Sequence, residues 1–469
     1  MSRWPARLGA LKPVALVAGP VAGAVVATDP RWGPLILAAV GAVTVLGWAG
    51  VRCARALGVH GMWMALLLLS ILMGQMGSLG AEGQSGRVLW ADAVIGIGVV
   101  CALVRGRMVV RVPDAPFLRA LIPFLAWGAA SMLVARDPLT AIAEFKEWMA
   151  ALIVAIAAAN YASDAARARR LLGIVAITAA LMSVHMLLVA LTSPVGPIAA
   201  IMLKVVDLPW GRTNYLAGHL ILAIPIAIGL IGQSTQARER VGWTAVLVVT
   251  FTGLVLSMSR GGILGLLVAL VVAFGLERRQ AAAPRLIVLA LIGVAVLLYA
   301  VSPLRTVLAE RLGSASLNYS ASERLDMYRL AWQQFVEHPV FGIGINNFSV
   351  VAHQLRGMDN TPHNFELGYL VELGIPGLLL ALGWALALGR TAWRARSASA
   401  GEARTLGLGL WAAFIGFMVQ GQVEPNIYGQ QFKMLLVTVA AATWRLAVEW
   451  EQRRMPEPSA APSPRGSLS

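Results

Sequence analysis

The sequence predicts an all-α fold, a polytopic transmembrane helical bundle of about 12–14 helices with one partly helical periplasmic loop segment. Hydrophobic residues make up 58% of the 469-residue chain, and charged residues make up only 13%. The mean hydropathy of +0.72 is well above that of soluble domains. Apolar runs long enough to cross a hydrocarbon core recur along the chain. These three observations exclude a soluble globular protein.

One long hydrophilic segment interrupts the apolar runs and divides the chain into four regions. We predict N-terminal transmembrane helices over 1–303, a periplasmic loop segment with short helices over 304–365, C-terminal transmembrane helices over 366–448, and a disordered cytoplasmic tail over 449–469. Short runs can merge or turn back within the membrane, so the boundaries are those of apolar sequence. The candidate spans are 12–27, 33–51, 61–79, 88–104, 116–134, 147–162, 171–192, 215–232, 241–258, 260–276, 285–303, 366–389, 405–422 and 430–447.

The formal net charge of +15 indicates membrane topology rather than nucleic-acid binding. Basic residues fall in alternate loops, as the positive-inside rule expects of cytoplasmic loops that lie near anionic membrane lipids. Both termini are therefore predicted to be cytoplasmic. The first apolar run also fits a signal peptide, but the alternation favours a retained helix. The basic clusters include Arg3 and Arg7, Arg52 and Arg55, Arg105, Arg107 and Arg111, Arg167, Arg169 and Arg170, Arg238 and Arg240, Arg278, Arg279 and Arg285, Arg390, Arg394, Arg396 and Arg404, and Arg453 and Arg454.

The hydrophilic segment itself contains a predicted helix near 322–335. Ser320 or Ser322 is a candidate N-cap, and the helix is expected to end before His338 and Pro339. A glycine-rich turn over 341–348 follows. The predicted apolar face consists of Leu325, Tyr328, Ala331, Trp332 and Phe335.

Arg212 lies in the stretch Trp210–Tyr215, on the predicted outer side, with His219 one turn further along. An arginine there opposes the positive-inside bias. One interpretation is a snorkelling side chain at a helix end, and the other is a guanidinium that grips phosphate oxygens.

Arg260 interrupts a long apolar run, within Ser257–Gly262. A sharp hairpin would place it at the outer membrane face, with glycines that let backbone N–H groups approach an anion. A loop arginine that binds helix-end carbonyls is the alternative. The functional interpretation of Arg260 is favoured, because an arginine in apolar sequence is costly without an anionic partner.

Three histidines of the hydrophilic segment are titratable candidates: His338, His353 and His363. His363 stands between Pro362 and a helix start, where the positive dipole end favours a neutral, proton-accepting imidazole. Such a group suits a general base that activates a sugar hydroxyl. His338, before a proline, fits a turn residue better, and Glu366 is expected either to orient His363 or to cap the helix.

Several motifs of metal and nucleotide chemistry are absent from the sequence. There is no Asp-x-Asp pair, no Walker lysine loop and no His-Glu-x-x-His, and the two cysteines, Cys53 and Cys101, imply neither a disulfide framework nor a metal cluster. We therefore predict no cofactor and no metal. A diphosphate leaving group would be neutralised by arginines.

These residues resemble the bacterial O-antigen ligase and polymerase superfamily, roughly over 205–380. The matching pieces are Ser259–Gly262, Glu323-Arg324 with Tyr328 and Trp332, His338-Pro339 with Gly342, Gly344, Asn347 and Phe348, and Pro362-His363-Asn364 with Glu372, Gly374 and Gly377. Gly211–Asn214 is similar to the arginine-bearing loop upstream in these proteins.

The resemblance implies a metal-independent, inverting membrane glycosyltransferase that acts at the periplasmic face of the inner membrane. The donor would be O-antigen on undecaprenyl diphosphate and the acceptor a sugar hydroxyl of lipid A–core. His363 would be the general base, and Arg212 and Arg260 would bind the diphosphate. Substrate contacts are also expected from the other motif residues, namely Asn364, Arg324, Tyr328 and His338.

Within the superfamily, one sizeable outer loop favours a ligase over a polymerase, since the earlier outer segment, 193–214, is short. A protein O-oligosaccharyltransferase would present a similar histidine and arginine set. A transporter or flippase of an anionic lipid-linked substrate is the hypothesis from another class. No clear inverted repeat supports it, and a polar loop ending in a histidine fits catalysis better than gating.

Overall fold

A computed structural model of the protein describes residues 58, 60–73, 75–78, 87–104, 112–197, 200–201, 206, 208, 213–275, 314–357, 361–424 and 426–454. These ranges are almost entirely helical, which confirms the predicted all-α class. The exception is a short antiparallel pairing of β1 (Gln75–Ser78) with β2 (Arg87–Leu89).

The helices account for the predicted spans that fall within the described ranges. Seven helices there are long and apolar enough to cross a membrane. The chain is therefore a multi-pass membrane protein, while the spans predicted at 12–27, 33–51 and 285–303 lie outside the described residues. In chain order the helices are α1 (His60–Met73), α2 (Trp90–Val104), α3 (Pro116–Ser131), α4 (Pro138–Tyr161), α5 (Ala165–Leu191), α6 (Thr213–Gln233), α7 (Ala237–Leu256), α8 (Arg260–Leu270), α9 (Ser314–Glu337), α10 (Phe348–Arg356), α11 (Phe365–Ala398), α12 (Ala403–Gly421) and α13 (Gln430–Arg454).

Two helices form the centre of the bundle. The apolar windows of α6 and α13 are 89% and 83% buried, so both helices lie inside the bundle. Glycines bring α12 against α6: a Cβ on Gly229 would lie 2.7 Å from Leu406 Cα, and one on Gly409 would collide with the Pro225 carbonyl. Small residues at such contacts allow close backbone approach. The other helices pack around this pair.

Three helix ends that carry predicted cytoplasmic arginines meet at one end of the bundle. At the start of α5, the Ala165 N–H donates to Glu449 near the end of α13 (2.6 Å). The Arg454 guanidinium donates to the Ser399 carbonyl after α11 (3.1 Å). Helix ends that carry predicted cytoplasmic arginines are thus neighbours, which agrees with the positive-inside pattern.

Helix α11 is interrupted at Gly374. This glycine has φ 67° and ψ −171°, so α11 consists of two helices that meet at a kink. A Cβ there would collide with the Val340 carbonyl oxygen. The hydrophilic segment satisfies backbone groups freed by the break, since the Ile375 N–H donates to the Pro339 carbonyl (2.9 Å). On the other side, Trp127 Nε1 donates to the Leu373 carbonyl (2.8 Å).

The glycine-rich turn 341–348 is also bound to α11. The Gly344 N–H donates to the Glu372 carbonyl (3.0 Å). The buried Glu372 carboxylate accepts from the N–H groups of Asn346 (3.0 Å) and Phe348 (3.3 Å). A Cβ on Gly342 would collide with the Glu372 backbone. The motif residues Gly342, Gly344, Glu372 and Gly374 therefore join the hydrophilic segment to the bundle.

Helix α9 differs from its prediction in two respects. It ends at Glu337, as predicted, but it begins at Ser314, so Ser320 and Ser322 lie inside the helix and do not cap it. The expected apolar face is right only in part. Ala331 is buried and Tyr328 and Phe335 are half-buried, whereas Leu325 and Trp332 are 47% and 56% exposed. The helix packs against Phe348 and Val371 through Met327, Leu330 and Ala331.

The C-terminal boundary is later than predicted. Helix α13 continues to Arg454, so residues 449–454, assigned to a disordered tail, are helical. Arg394 of α11 forms a bidentate pair with Glu451 (2.9 and 2.6 Å), which fixes this last turn. Residues 455–469 lie outside the described residues.

A buried ion cluster links α4 and α13. The Lys433 side chain is fully buried, and Nζ donates to Glu144 (2.5 Å) and Glu147 (3.0 Å). It also lies 5.2 Å from the Trp148 ring centroid. These carboxylate partners give Lys433 a structural role.

Replacing Gly374 by Ala should destabilise the protein by at least about 2 kcal/mol, because the new Cβ meets both a left-handed backbone and the Val340 carbonyl. The measurement is thermal unfolding in detergent. Gly383→Ala is the matched control, because Gly383 lies on the same helix with open space around it. Equal melting temperatures for the two variants would contradict the inferred role of the break.

Lys433→Met should cost about 3–5 kcal/mol of unfolding free energy, because it leaves buried carboxylates without their cation. The double variant Lys433→Met/Glu144→Gln removes one of those charges and should recover part of the loss. Denaturation of the purified variants provides the measurement. A single variant as stable as the parent would show that the cluster contributes nothing.

Candidate active site

The loop of Gln422, Val423 and Glu424, called the 422–424 loop, lies at the end of α12, between α12 and α13. It contacts three other segments. Gln422 binds the start of α11 (Asn364 Nδ2 to Gln422 Oε1, 3.0 Å). A Cβ on Gly261 of α8 would lie 2.5 Å from Val423 Cγ2. The remaining contacts are made by Glu424, to Asn214 of α6 and His363 before α11, as described below.

His363 occupies a strained backbone position. Its φ of 54° is in the left-handed region, which is uncommon for a residue other than glycine. Both sides of the turn are held. Asn364 caps α11 by accepting from the Leu367 N–H (2.8 Å), and Gln422 Nε2 donates to Glu366 Oε1 (2.7 Å). Asn364 is therefore the cap, and Glu366 binds Gln422.

The imidazole of His363 is nearly enclosed, with 15% of the side chain exposed. Its Nδ1 lies 3.9 Å from Glu424 Oε2. Among the described residues, Nδ1 has no hydrogen-bond partner. Burial, followed by the positive charge of Arg324, lowers the pKa of His363 to about 4. The ring is thus neutral at neutral pH, as expected, but burial rather than the helix dipole is the main cause.

Arg260 begins α8, directly after a tight turn. Met258 has φ 51°, and Ser259 caps the helix by accepting from the Gly262 N–H (3.2 Å). The predicted hairpin is therefore present, and the Arg260 side chain is exposed. The glycines also permit close packing: Gly261 admits Val423, and a Cβ on Gly262 would lie 2.7 Å from Ala217 Cβ. The approach of an anion to their backbone N–H groups stays a prediction.

Three helices, α6, α8 and α11, begin at this end of the bundle. Asn214 in the first turn of α6 donates from Nδ2 to Glu424 Oε2 (3.2 Å). The N-terminus of a helix carries partial positive charge, which favours a nearby anion. Arg260 and three helix N-termini thus place positive charge near one carboxylate of the 422–424 loop.

The other predicted residues are distributed as follows. Arg212 lies outside the described residues, although its neighbour Asn214 belongs to the site. Arg324 is half-buried on α9 and acts on the charge of His363. Tyr328 follows one turn later and is half-buried. His338 ends α9, where its N–H donates to the Gln334 and Phe335 carbonyls (3.1 Å each).

The structure separates His338 from His363. Pro339, next to His338, is bound to Ile375 beyond the α11 break, roughly 15 Å along the helix from its start. This position agrees with a turn residue. His219 also has a packing role, because it is 2% exposed, and its Nδ1 lies 2.8 Å from the Tyr215 carbonyl.

Gln422 and Glu424 belong to none of the sequence motifs. The one signal for Glu424 in the sequence is its position between the predicted spans 405–422 and 430–447. Nothing in the spacing relates it to His363. Only the packing of α12 beside α11 and α6 brings the groups together.

A small cleft of about 10 Å³ lies beside Glu424, and its lining includes Phe365, Phe417, Gln420 and Asn426. Gln420 Nε2 and Asn426 Oδ1 are buried, and neither has a hydrogen-bond partner within the ranges described above. A buried unpaired polar group costs about 1–3 kcal/mol, and a cleft of this volume is no larger than a single water requires.

No group of three or more His, Cys, Asp or Glu side chains in the described part of the chain could hold a metal ion. The metal-independent reaction stays a prediction.

Comparison with known proteins agrees with the motifs. Residues 245–382 match the family model described as O-antigen ligase. This stretch contains Arg260, α9, the turn 341–348 and His363, whereas Asn214 and Glu424 lie outside it. Curated proteins give no match to the chain. The resemblance noted from the sequence is confirmed, and the chain carries a domain of the O-antigen ligase family over residues 245–382.

Proposed function

We propose that the protein is an O-antigen ligase, which transfers O-antigen from undecaprenyl diphosphate to a sugar hydroxyl of lipid A–core. The observation that carries the proposal is a neutral His363 at the same end of the bundle as Arg260 and three helix N-termini, inside a domain of a glycosyltransferase-like family. A neutral imidazole accepts a proton, and the positive groups suit an anionic donor.

In the proposed reaction, His363 removes the proton of the acceptor hydroxyl as that oxygen attacks the anomeric carbon. The bond from this carbon to the diphosphate breaks, and its electron pair stays on the phosphate oxygen. Arg260 and Arg212 stabilise the departing diphosphate, as fixed cations aimed at developing charge do. Direct displacement inverts the anomeric configuration. No metal ion or other cofactor takes part in this scheme.

The proposed location is the bacterial inner membrane, with both termini cytoplasmic and the active site at the periplasmic face. The arrangement of the charges supports this orientation. The arginine-bearing helix ends near Ala165, Ser399 and Arg454 lie together. The 422–424 loop lies at the opposite end of α12 and α13, so the positive-inside rule assigns it to the periplasm.

His363→Asn should reduce glycan transfer by at least about 10²-fold, the usual contribution of a general base. Asparagine suits the test because it tolerates a left-handed backbone better than alanine. Purified protein is incubated with undecaprenyl-diphosphate glycan and lipid A–core in EDTA, and lipopolysaccharide mobility on a gel is measured. His353→Asn, at an exposed histidine of the same segment, should keep the parental rate.

The same assay separates the alternatives. A donor chain that lengthens without joining the core would identify a polymerase. Transfer to a protein acceptor instead of the core would identify a protein O-oligosaccharyltransferase. Lipid movement across the membrane without glycan transfer would identify a transporter. Parental transfer by the folded His363→Asn variant would refute His363 as the base.

Arg324→Gln should move the acid limb of the kcat/KM profile to higher pH. The active form of His363 is neutral with a pKa of about 4, so transfer stays constant around neutral pH and falls as the pH drops through that value. Arg324 lowers this pKa, and its removal therefore raises it. Arg329→Gln, five residues later on α9, is the control. If the acid limb of the kcat/KM profile did not shift in Arg324→Gln, the assignment of that limb to His363 would be contradicted.

A further inference from the structure

We propose that Glu424 is the positioning residue of His363: its carboxylate orients the ring so that Nε2 faces the acceptor, and it neutralises the imidazolium formed during transfer. This inference rests on the proposed function and deepens it.

The geometry around the pair supports this role. Glu424 Oε2 lies 3.9 Å from Nδ1, and both side chains are largely enclosed, at 13% and 15% exposure. Nδ1 is a buried polar atom that no hydrogen bond satisfies among the described residues. Asn214 Nδ2 donates to the same oxygen of Glu424 (3.2 Å), which directs the carboxylate from the side of α6.

The charges around His363 make a nearby carboxylate necessary for its function. Arg324 approaches from α9, Glu366 follows on α11, Arg260 begins α8, and Glu424 comes from the 422–424 loop. Burial and Arg324 both oppose protonation of the ring. A base in such a site accepts a proton readily only if an anion stabilises the cation that forms. Of the carboxylates, Glu424 lies within ion-pair range of the ring.

The proton balance of the transfer follows from this arrangement. The acceptor hydroxyl loses its proton to Nε2 as its oxygen bonds to the anomeric carbon. The electron pair of the broken carbon–oxygen bond leaves with the diphosphate. The ring is then an imidazolium whose Nδ1–H faces Glu424. A carboxylate at Nδ1–H fixes the tautomer and orients the ring, as in other histidine bases.

The distance of 3.9 Å between His363 Nδ1 and Glu424 Oε2 exceeds the length of a hydrogen bond by about 1 Å. Catalytic hydrogen bonds are often long without substrate and shorten in the reactive complex. A positive charge on the His363 ring would attract the Glu424 carboxylate and shorten the distance between them.

Glu424→Gln is the informative substitution. Glutamine keeps an oxygen acceptor for Asn214, so the link between α6 and the 422–424 loop survives while the negative charge is lost. We expect transfer to fall by roughly 10²- to 10⁴-fold with an unchanged melting temperature. Glu424→Asp should recover part of the rate. Glu402→Gln, the same change before the other end of α12, is the control and should leave transfer unchanged.

A purely structural role would not alter the titration of His363. In the Arg324→Gln background, the acid limb of kcat/KM lies at higher pH and is easier to measure. Adding Glu424→Gln should move it to lower pH, because a lost carboxylate lowers the histidine pKa. Parental transfer or an unmoved limb in the Glu424→Gln variants would overturn the inference, even if His363→Asn is inactive. An active His363→Asn would instead overturn the proposed function itself.

Discussion

The break in α11 at Gly374 is the constraint on which the arrangement of the hydrophilic segment depends. A helix interrupted inside an apolar bundle leaves backbone groups without partners, at a cost of several kcal/mol for each group. Here the segment after α9 supplies those partners through Pro339 and the turn 341–348. This attachment fixes the end of α9 against α11. The position of Arg324 on α9 follows from it, and with that position the smaller of the two contributions that lower the pKa of His363.

The second determinant is the contrast between the two ends of the bundle. One end collects the arginine-bearing helix ends, and the other collects three helix N-termini, Arg260 and the 422–424 loop. The first pattern concerns membrane orientation, and the second concerns the reaction. A lipid-linked diphosphate carries its negative charge at the membrane surface. In the proposed orientation, Arg260, the three helix N-termini and the 422–424 loop lie at the periplasmic surface. One topology thus accounts for the positions of these groups and of the arginine-bearing helix ends.

The fold class and the main motifs could be predicted from the sequence, because hydropathy and special residues act locally. The hairpin before Arg260 and the helix start after His363 are local features of this kind. Glu424 could not be assigned, since its relation to His363 depends on the packing of α12 beside α11. Only part of the apolar face of α9 was predicted, because periodicity does not show whether Leu325 and Trp332 or Met327 and Leu330 pack inward beside Ala331.

Charged residues in apolar sequence also show that local sequence does not predict tertiary contacts. Lys433 and Arg260 both interrupt hydrophobic runs, and each is costly to bury without an anion. Lys433 meets its anions inside the bundle, at Glu144 and Glu147, and is fully enclosed. Arg260 instead begins a helix with its side chain exposed. Hydropathy is the same signal in both cases, and only the tertiary structure distinguishes an enclosed cation from an exposed one.

The backbone of His363 connects these points to the chemistry. A histidine at φ 54° is less stable than glycine there, by roughly 1–2 kcal/mol. The turn persists because Asn364 caps α11 and Gln422 holds Glu366. Glycine would relieve this strain but has no imidazole, which the proposed reaction requires. A relaxed, right-handed residue would point its side chain elsewhere, so the 422–424 loop stabilises a conformation that aims the ring at Glu424.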